Sequence, residues 1–385
     1  MPLARFGTLG ALTFAGAVHA QGVPRKLAAP TATYDAEFTG IDGIRELKDG
    51  RVVVLDAKDK AIHVIDLKNK TGKKIGREGD GPGEFRLLRQ FFQGPGDTIG
   101  VSDMSRAGKL IVITPTGEMG GLMSMTDSSL STRTFSPTAS DAAGRFYNMA
   151  TNNPFTDSAS IVRWDRGRAR WDTVAKLMTT PVSPLYKGPP EVRQMPGGGF
   201  VYSPPPMMPF ATANTWTVAG DGRIAIVEAE PYRVTLVNAV GVRVKGPTIQ
   251  FTPIPVTDAE KAMFKEMVTQ PSPTVSGSRG ADGTVTRSYG FRKPTYTEPQ
   301  AWPPTMPAFG RDPAVFASDG MLWVKRNTKA GVPPLYDLID RAAKVAYQLE
   351  LPAKTKVVGF GVGSVYLARV DDDDLHYLQR YALPK

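Results

Sequence analysis

One phrase recurs six times along this chain: a turn containing Gly, then a short β-prone run. It reads Asp49-Gly50-Arg51-Val52-Val53-Val54-Leu55-Asp56, and next Gly96-Asp97-Thr98-Ile99-Gly100-Val101-Ser102-Asp103. Ala143-Gly144-Arg145-Phe146-Tyr147-Asn148 and Asp221-Gly222-Arg223-Ile224-Ala225-Ile226 follow. Asp319-Gly320-Met321-Leu322-Trp323-Val324 and Val362-Gly363-Ser364-Val365-Tyr366-Leu367 complete the set. After most copies comes a second β-type run, such as Ile62-His63-Val64-Ile65-Asp66, Leu110-Ile111-Val112-Ile113 or Val234-Thr235-Leu236-Val237. Two such runs joined by a polar loop are a hairpin signal.

The spacing decides the architecture. The second residues of the six copies stand at 50, 97, 144, 222, 320 and 363, so the gaps are 47, 47, 78, 98 and 43. The first long gap contains residues 181–210 and the second residues 252–307, each with nine of the 33 prolines. Proline cannot donate to a strand ladder, so these stretches read as insertions rather than central strands. Without them the long gaps become 48 and 42 residues. A period of about 40–50 residues with turn and strand signals marks a β-propeller blade. The predicted fold is therefore all-β: a six-bladed propeller over 33–385 with two Pro-rich insertions. Blade 1 takes its four strands from Ile41–Leu47, Arg51–Asp56, Ala61–Asp66 and about Lys73–Ile75, innermost first. Blade 6 begins near Val357 and runs out of chain one strand short. Thr33-Tyr34-Asp35-Ala36-Glu37-Phe38 is left over before blade 1, and pairing it into blade 6 closes the ring and removes the exposed edges. Residues 21–32 read as linker.

After blade 1 stands Gly76-Arg77-Glu78-Gly79-Asp80-Gly81-Pro82-Gly83-Glu84-Phe85. This segment, with the repeated Asp-Gly-Arg-strand-Asp phrase, resembles the GxGxGPGEF-type signature of secreted bacterial six-bladed propellers related to NHL-repeat propellers. The resemblance implies an exported propeller and no particular chemistry. The sharp motif occurs once; Thr116-Gly117-Glu118-Met119-Gly120-Gly121 is its nearest echo, expected at the corresponding place in blade 2. Physically, four glycines in eight residues and a φ fixed by Pro82 let the chain turn sharply between blades. Phe85 is then expected to pack between blades and Glu84 to accept backbone N–H groups. A phosphate cradle fits poorly, since no Gly-Lys-Ser/Thr follows and the next element is a strand.

Residues 1–20 read as a secretory signal: Arg5, then an apolar run from Phe6 to Val18, then Val18-His19-Ala20 as the cleavage site. The run is too short to span a bilayer, and no later stretch is long enough, so the mature chain is expected without a transmembrane segment, secreted or periplasmic. The chain has no cysteine, which excludes disulfides, Cys-based zinc sites and thiol nucleophiles. Of its three histidines one lies in the signal, leaving His63 and His376, both in expected third strands away from the channel, where the ordinary reading is structural. A formal charge of +10 favours anionic surfaces in a non-specific way.

In a four-stranded antiparallel blade, the second-to-third loops and the connections to the next blade share one face. The Gly-rich segment 76–85, loops 56–60, 103–109, 152–159, 228–232, 325–334 and 370–375, and both insertions belong there. Loops on a rigid scaffold commonly carry function, which makes this end of the channel the candidate site. Arg77, Glu78, Asp80, Lys325, Arg326 and Trp302 are its candidate ligand-binding residues. In the second insertion, Thr257-Asp258-Ala259-Glu260 is a capping box, Met263, Phe264 and Met267 form an apolar helix face, and Pro271 stops the helix. The helix packs over the rim or forms a lid. The aromatics Tyr289, Phe291, Tyr296, Trp302 and Phe309 line a pocket or fill a small core; the sequence leaves both readings open.

Other constellations point to bland roles. Asp371-Asp372-Asp373-Asp374 lacks the glycine and spaced Glu of a calcium loop and reads as a solvated tip, or as a bridge to Lys325, Arg326 and Lys329. The run from Arg163 to Trp171 reads as two edge strands around a turn at Asp165–Arg168, with no specific nucleic-acid site. No cofactor is expected. The leading function is an exported binding module, expected as a monomer, for an unidentified protein or envelope ligand. The alternative is a metal-dependent lactonase-like or lyase-like hydrolase with a divalent ion in the channel, to which Asp42, Arg45 and Glu46 would contribute. A third reading is a structural interaction module in an envelope assembly.

Overall fold

The computed structural model describes residues 22–125, 136–150, 158–168, 170–178, 191–194, 200–203, 208–279 and 284–384. The stretch 1–20 that reads as a signal, most of loop 152–159 and most of the first insertion lie outside the described residues. The described residues form six blades around an axis, each with four strands counted from the axis outward, besides four two-stranded ribbons. Blade 1 is Gly43–Glu46, Val52–Asp56, Ala61–Asp66 and Thr71–Ile75; blade 2 is Leu88–Gln93, Ile99–Asp103, Lys109–Ile113 and Met119–Ser124. Blade 3 is Ala139–Ser140, Phe146–Ala150, Ser158–Asp165 and Arg170–Met178; blade 4 is Thr215–Val218, Ile224–Ala229, Tyr232–Val237 and Arg243–Lys245. Blade 5 is Ala314–Phe316, Leu322–Lys325, Leu335–Ile339 and Val345–Glu350. Blade 6 is Thr355–Gly361, Ser364–Val370, His376–Ala382 and the N-terminal Ala32–Thr33.

The recurring phrase is the turn between first and second strands. All six of its second residues have positive φ: Gly50 (86°), Asp97 (62°), Gly144 (72°), Gly222 (83°), Gly320 (84°) and Gly363 (60°). In blade 1, Gly50 N donates to Leu47 O and Leu47 N to Arg51 O, while Asp49 Oδ1 accepts Arg51 N at 3.0 Å. Blades 4 and 5 repeat the arrangement, with Asp221 accepting Arg223 N and Asp319 accepting Met321 N. This is a type I turn closed by a left-handed residue, which explains both the Gly and the Asp before it.

The blade 1 sheet is covered on both faces, so its second strand is apolar from Val52 to Leu55 rather than alternating. Val53 and Leu55 join the core between blades 1 and 2, while Val52 and Val54 join the core between blades 6 and 1. The buried side chains fall into six clusters, one for each blade-to-blade contact around the ring.

The N-terminal strand closes the ring. Ala32 and Thr33 pair antiparallel with Arg380 and Gln379, Tyr34 N donates to Leu378 O, and Phe38 bridges His376. Residues 21–32 do more than link: Arg25–Lys26 adds a parallel strand outside blade 5, against Leu349 and Glu350. Arg25 also lies over the Tyr347 ring at 4.0 Å. Two polar residues carry no strand signal, so this pairing is set by the sheet edge they meet.

The segment Gly76–Phe85 behaves as its residues suggest. Phe85 is fully buried in the core of blades 1 and 2, and Glu84 Oε2 accepts Gly81 N at 2.7 Å. A Cβ on Gly79, which has a φ of 151°, would lie 2.1 Å from Glu84 Oε2, so the loop closes only around glycine. The expected echo at Thr116–Gly121 is a different object. It forms the turn between third and fourth strands of blade 2, with Gly117 N bonded to Thr114 O, and the start of that fourth strand.

Candidate functional site

The face that gathers the loops is held by buried carboxylates at the end of second strands. Asp56 accepts from Thr39 N, Thr39 Oγ1, Gly40 N and Asp59 N at 3.0–3.2 Å. Asp103 takes the same place in blade 2, accepting from Arg86 N, Leu87 N and Ser105 N. Each pins the entry of its blade's first strand to the exit of the second. Around these anchors the loops are linked. Arg106 donates to Gly81 O and Glu84 O, Lys60 pairs with Glu78, and Lys58 with Asp374.

The second insertion runs from the blade 4–5 side of this face to the blade 1–2 side. Its helix, Asp258–Val268, begins with the expected capping box at Thr257 and Glu260. Glu260 also accepts Ala330 N at 3.0 Å, which ties the helix to the loop of blade 5. These donors, Thr257 first, lower the Glu260 pKa to about 2. The helix buries Phe264 against Phe210 (5.2 Å between ring centroids) and Trp302 (5.4 Å). Met267 is 59% exposed, so the apolar face is narrower than the sequence suggests and centres on Glu260 and Phe264, one turn apart. Beyond the helix, Ser272–Arg279 and Val285–Arg292 form an antiparallel hairpin. Phe291 of that hairpin packs on the core of blades 1 and 2, and Arg287 and Tyr289 line a cleft with Asp80 and Arg86 of the Gly-rich loop. The insertion is thus a strap between opposite sides of the ring, tied to the blade 5 loop at one end and resting on blades 1 and 2 at the other. At its base, Phe210, Tyr232, Phe251, Pro303 and Met306 line a cavity of about 710 Å³.

Cations stand on the strands nearest the axis and at the end of a second strand. Arg45 and Lys356 stand on the innermost strands of blades 1 and 6, and Lys325 ends the second strand of blade 5. Arg45 and Lys356 are half-buried and Lys325 is exposed, yet all three are enclosed enough that desolvation lowers their pKa values. Wet side chains surrounded by protein are what a water-filled channel gives. Asp42, Asp374 and Asp56 favour the charge of Lys356, and Lys325 disfavours it.

The candidate residues from sequence divide. Arg77, Glu78 and Asp80 all stand on the Gly-rich loop of this face. Arg77 Nε pairs with Glu84 Oε1 at 2.7 Å, and Asp80 holds Arg86 through two bonds of 2.6 and 2.5 Å, which lowers its pKa. Lys325 ends the second strand of blade 5 with its side chain exposed. Arg326 does not present itself for a ligand. It is buried between blades 4 and 5, donating to Asp337 Oδ2 at 2.9 Å and Ala308 O at 3.0 Å, with Tyr232 Oη on the same carboxylate oxygen. Trp302 belongs to the small aromatic core of the insertion. Phe309 is in the blade 4–5 core, so the insertion's aromatics serve packing more than they line one pocket.

Asp42 and Glu46 are occupied elsewhere. Asp42 accepts Ala57 N, and Glu46 accepts Val362 N and the Tyr366 hydroxyl in the contact of blades 1 and 6. Among the described residues, no group of three or more His, Asp or Glu is placed to hold a metal ion. His376 Nδ1 accepts Ile41 N at 3.1 Å and His63 lies edge-on to Phe38. The acidic tip bridges to Lys354 and Lys58, not to the blade 5 loop. In the run 163–171, Trp164 is buried and stacked on Trp171, and Arg163 and Arg170 pair with Asp172. The missed residue is Lys356, a single Lys opening an apolar first strand, and only its alignment with Arg45 marks it.

No protein-family model and no curated protein sequence matches the chain. Solved structures resemble it at low identity. One, from Bacteroides fragilis, is named a "Putative exported protein": 14% identity, TM-score 0.45, covering 94% of each chain. Virginiamycin B lyase from Staphylococcus aureus gives 12% identity and a TM-score of 0.38 over 92% of this chain and 98% of its own. Regucalcin, a calcium-binding protein from Agrobacterium tumefaciens, gives 12% and 0.36 over 94% and 97%. Likeness at this level carries no inference about chemistry.

Proposed function

We propose that the chain is an exported six-bladed propeller that binds its ligand or partner at the channel mouth, under and around the strap. The observation that carries this reading is the path of the second insertion. A segment that interrupts the repeat is tied to blade 5 through Glu260 and Ala330 and rests on blades 1 and 2 through Phe291. A long ordered insertion over the one end where all the blade loops gather is the arrangement of a binding face. Export rests on the signal-like residues 1–20, and kinship with the NHL-related secreted propellers on the segment Gly76–Phe85. The hydrolase alternative draws less support, because Asp42 and Glu46, the acids that would serve it, are engaged in holding loops and blades.

Replacing 258–306 by a short Gly/Ser linker tests the reading. Thermal melting first checks that the ring remains. Proteins and small molecules retained from envelope extracts by the full chain are then compared with those retained by the strapless chain. The proposal expects specific ligands to be lost with the strap; an unchanged set contradicts it.

A further inference from the structure

The six innermost strands differ in charge from the rest of the molecule. They are Gly43–Glu46, Leu88–Gln93, Ala139–Ser140, Thr215–Val218, Ala314–Phe316 and Thr355–Gly361. Their cations are Arg45, Arg89 and Lys356, and their one acid is Glu46. Glu46 is turned into the contact between blades 1 and 6, where it accepts the Tyr366 hydroxyl and Val362 N and lies 3.8 Å from Arg380. The inner ring is therefore left with positive charge and no free acid of its own. Lys325 adds a fourth cation close enough to Lys356 for the two to repel.

Asp42, Asp374 and Asp56 favour the charge of Lys356 through space, but among the described residues none forms an ion pair with it. Asp56 is filled by the donors of Thr39, Gly40 and Asp59, Asp374 pairs with Lys58, and Asp42 accepts Ala57 N. The Arg45 guanidinium has no hydrogen bond or ion pair among the described residues, although the side chain is half-buried. Desolvating a charge without a partner costs free energy, and so does holding two ammonium groups together. An oxyanion seated among them relieves both costs. Arginine and lysine at this density are the residues that hold carboxylate and phosphate groups.

We propose that the channel mouth is an anion site, in which Arg45, Lys325 and Lys356, with Arg89 on the innermost strand of blade 2, receive a small molecule bearing two or more carboxylate or phosphate groups. This rests on the binding reading of the same face and names the class of ligand. The strap covers such a molecule, and the net positive charge of the chain draws it in.

Calorimetric titration with citrate, and separately with inorganic pyrophosphate, in chloride buffer tests the site. The full chain is expected to bind at least one of them saturably. Arg45→Gln and Lys356→Gln should each weaken that binding about tenfold or more. Lys68→Gln, on an outer turn at the opposite end of blade 1, should leave it unchanged. Arg45→Lys, which keeps the charge, should retain part of the affinity while melting like Arg45→Gln; that separates charge from folding. Citrate alone points to a carboxylate ligand and pyrophosphate alone to a phosphate. Binding of neither, or equal loss in Lys68→Gln, overturns the proposal. If extract ligands are lost with the strap but are insensitive to Arg45→Gln and to added citrate, the binding face stands and the anion class falls. If the strap makes no difference to them, the binding reading itself falls.

Discussion

Gly50 has a φ of 86° and open space where a Cβ would go, so its substitution reports backbone conformation alone. Gly50→Ala is expected to lose about 1–2 kcal/mol in urea unfolding, the cost of a left-handed L-residue. Gly246→Ala should lose more, because its Cβ would run into the backbone carbonyl of Ala343, which cannot swing aside as the tip of a side chain can. Gly50 was legible because a positive-φ turn leaves a residue-type signature. Arg326 was not legible as a core residue. Val324 and Arg326 lie on the same side of a strand whose alternation continues one residue into the loop, so Arg326 turns back over Tyr232 while Lys325 turns away. His376 gives a pH prediction. Burial first, and Lys356 second, lower its pKa, against the opposing pull of Asp374, Asp42 and Asp56. A depressed folded-state pKa means the neutral ring is preferred in the native state, where Nδ1 accepts Ile41 N. Stability is then complete above the unfolded value, about 6.5, and falls as pH drops below it. Denaturant midpoints across that range should fall less steeply in His376→Gln.

The strap shows which features of an element survive in sequence. Its helix was marked by a capping box, an apolar stripe and Pro271, all local signals. Its hairpin was hidden: Ser272–Arg279 and Val285–Arg292 hold Gly277, Gly290, Pro273 and three arginines, and a strand of that composition is fixed by its partner and by the blade 1–2 core that Phe291 meets. Glu260 is the hinge of the element, with bonds from Thr257 N, Thr257 Oγ1 and Ala330 N. Glu260→Ala should cost about 1–2 kcal/mol locally, through the lost cap and an unpaired Ala330 N–H. Limited proteolysis within 258–306 should then speed up while the ring still melts cooperatively. Acid should act in the same way. With a folded-state pKa of about 2, the Glu260 contribution is complete above the ordinary carboxylate value and is lost as pH falls toward 2. Protease sensitivity of the strap should rise over that interval.

At the scale of the whole molecule, the six-blade count and its phase were visible in the spacing of the turns, and closure in the strand left over at the N-terminus. Removing 22–38 should therefore unmask the third strand of blade 6, His376–Ala382, and bring aggregation with loss of the cooperative melt, measurable by light scattering and calorimetry. The charge of the channel was not visible. First strands are short and differ from blade to blade, and which of their side chains stay wet beside the axis depends on the packing of neighbouring blades rather than on any periodicity. The central claim is that the second insertion spans the ring to meet the Gly-rich loop after blade 1. The chain has no cysteine, so a pair can be placed cleanly. Asp80→Cys combined with Tyr289→Cys, two positions that share one cleft, should cross-link rapidly under mild oxidation or with a short bismaleimide. A control pair, Asp80→Cys with Gly167→Cys in the outer turn of blade 3, should not. A cross-link in the first pair far faster than in the control is the predicted result; equal, slow rates in both would contradict the account.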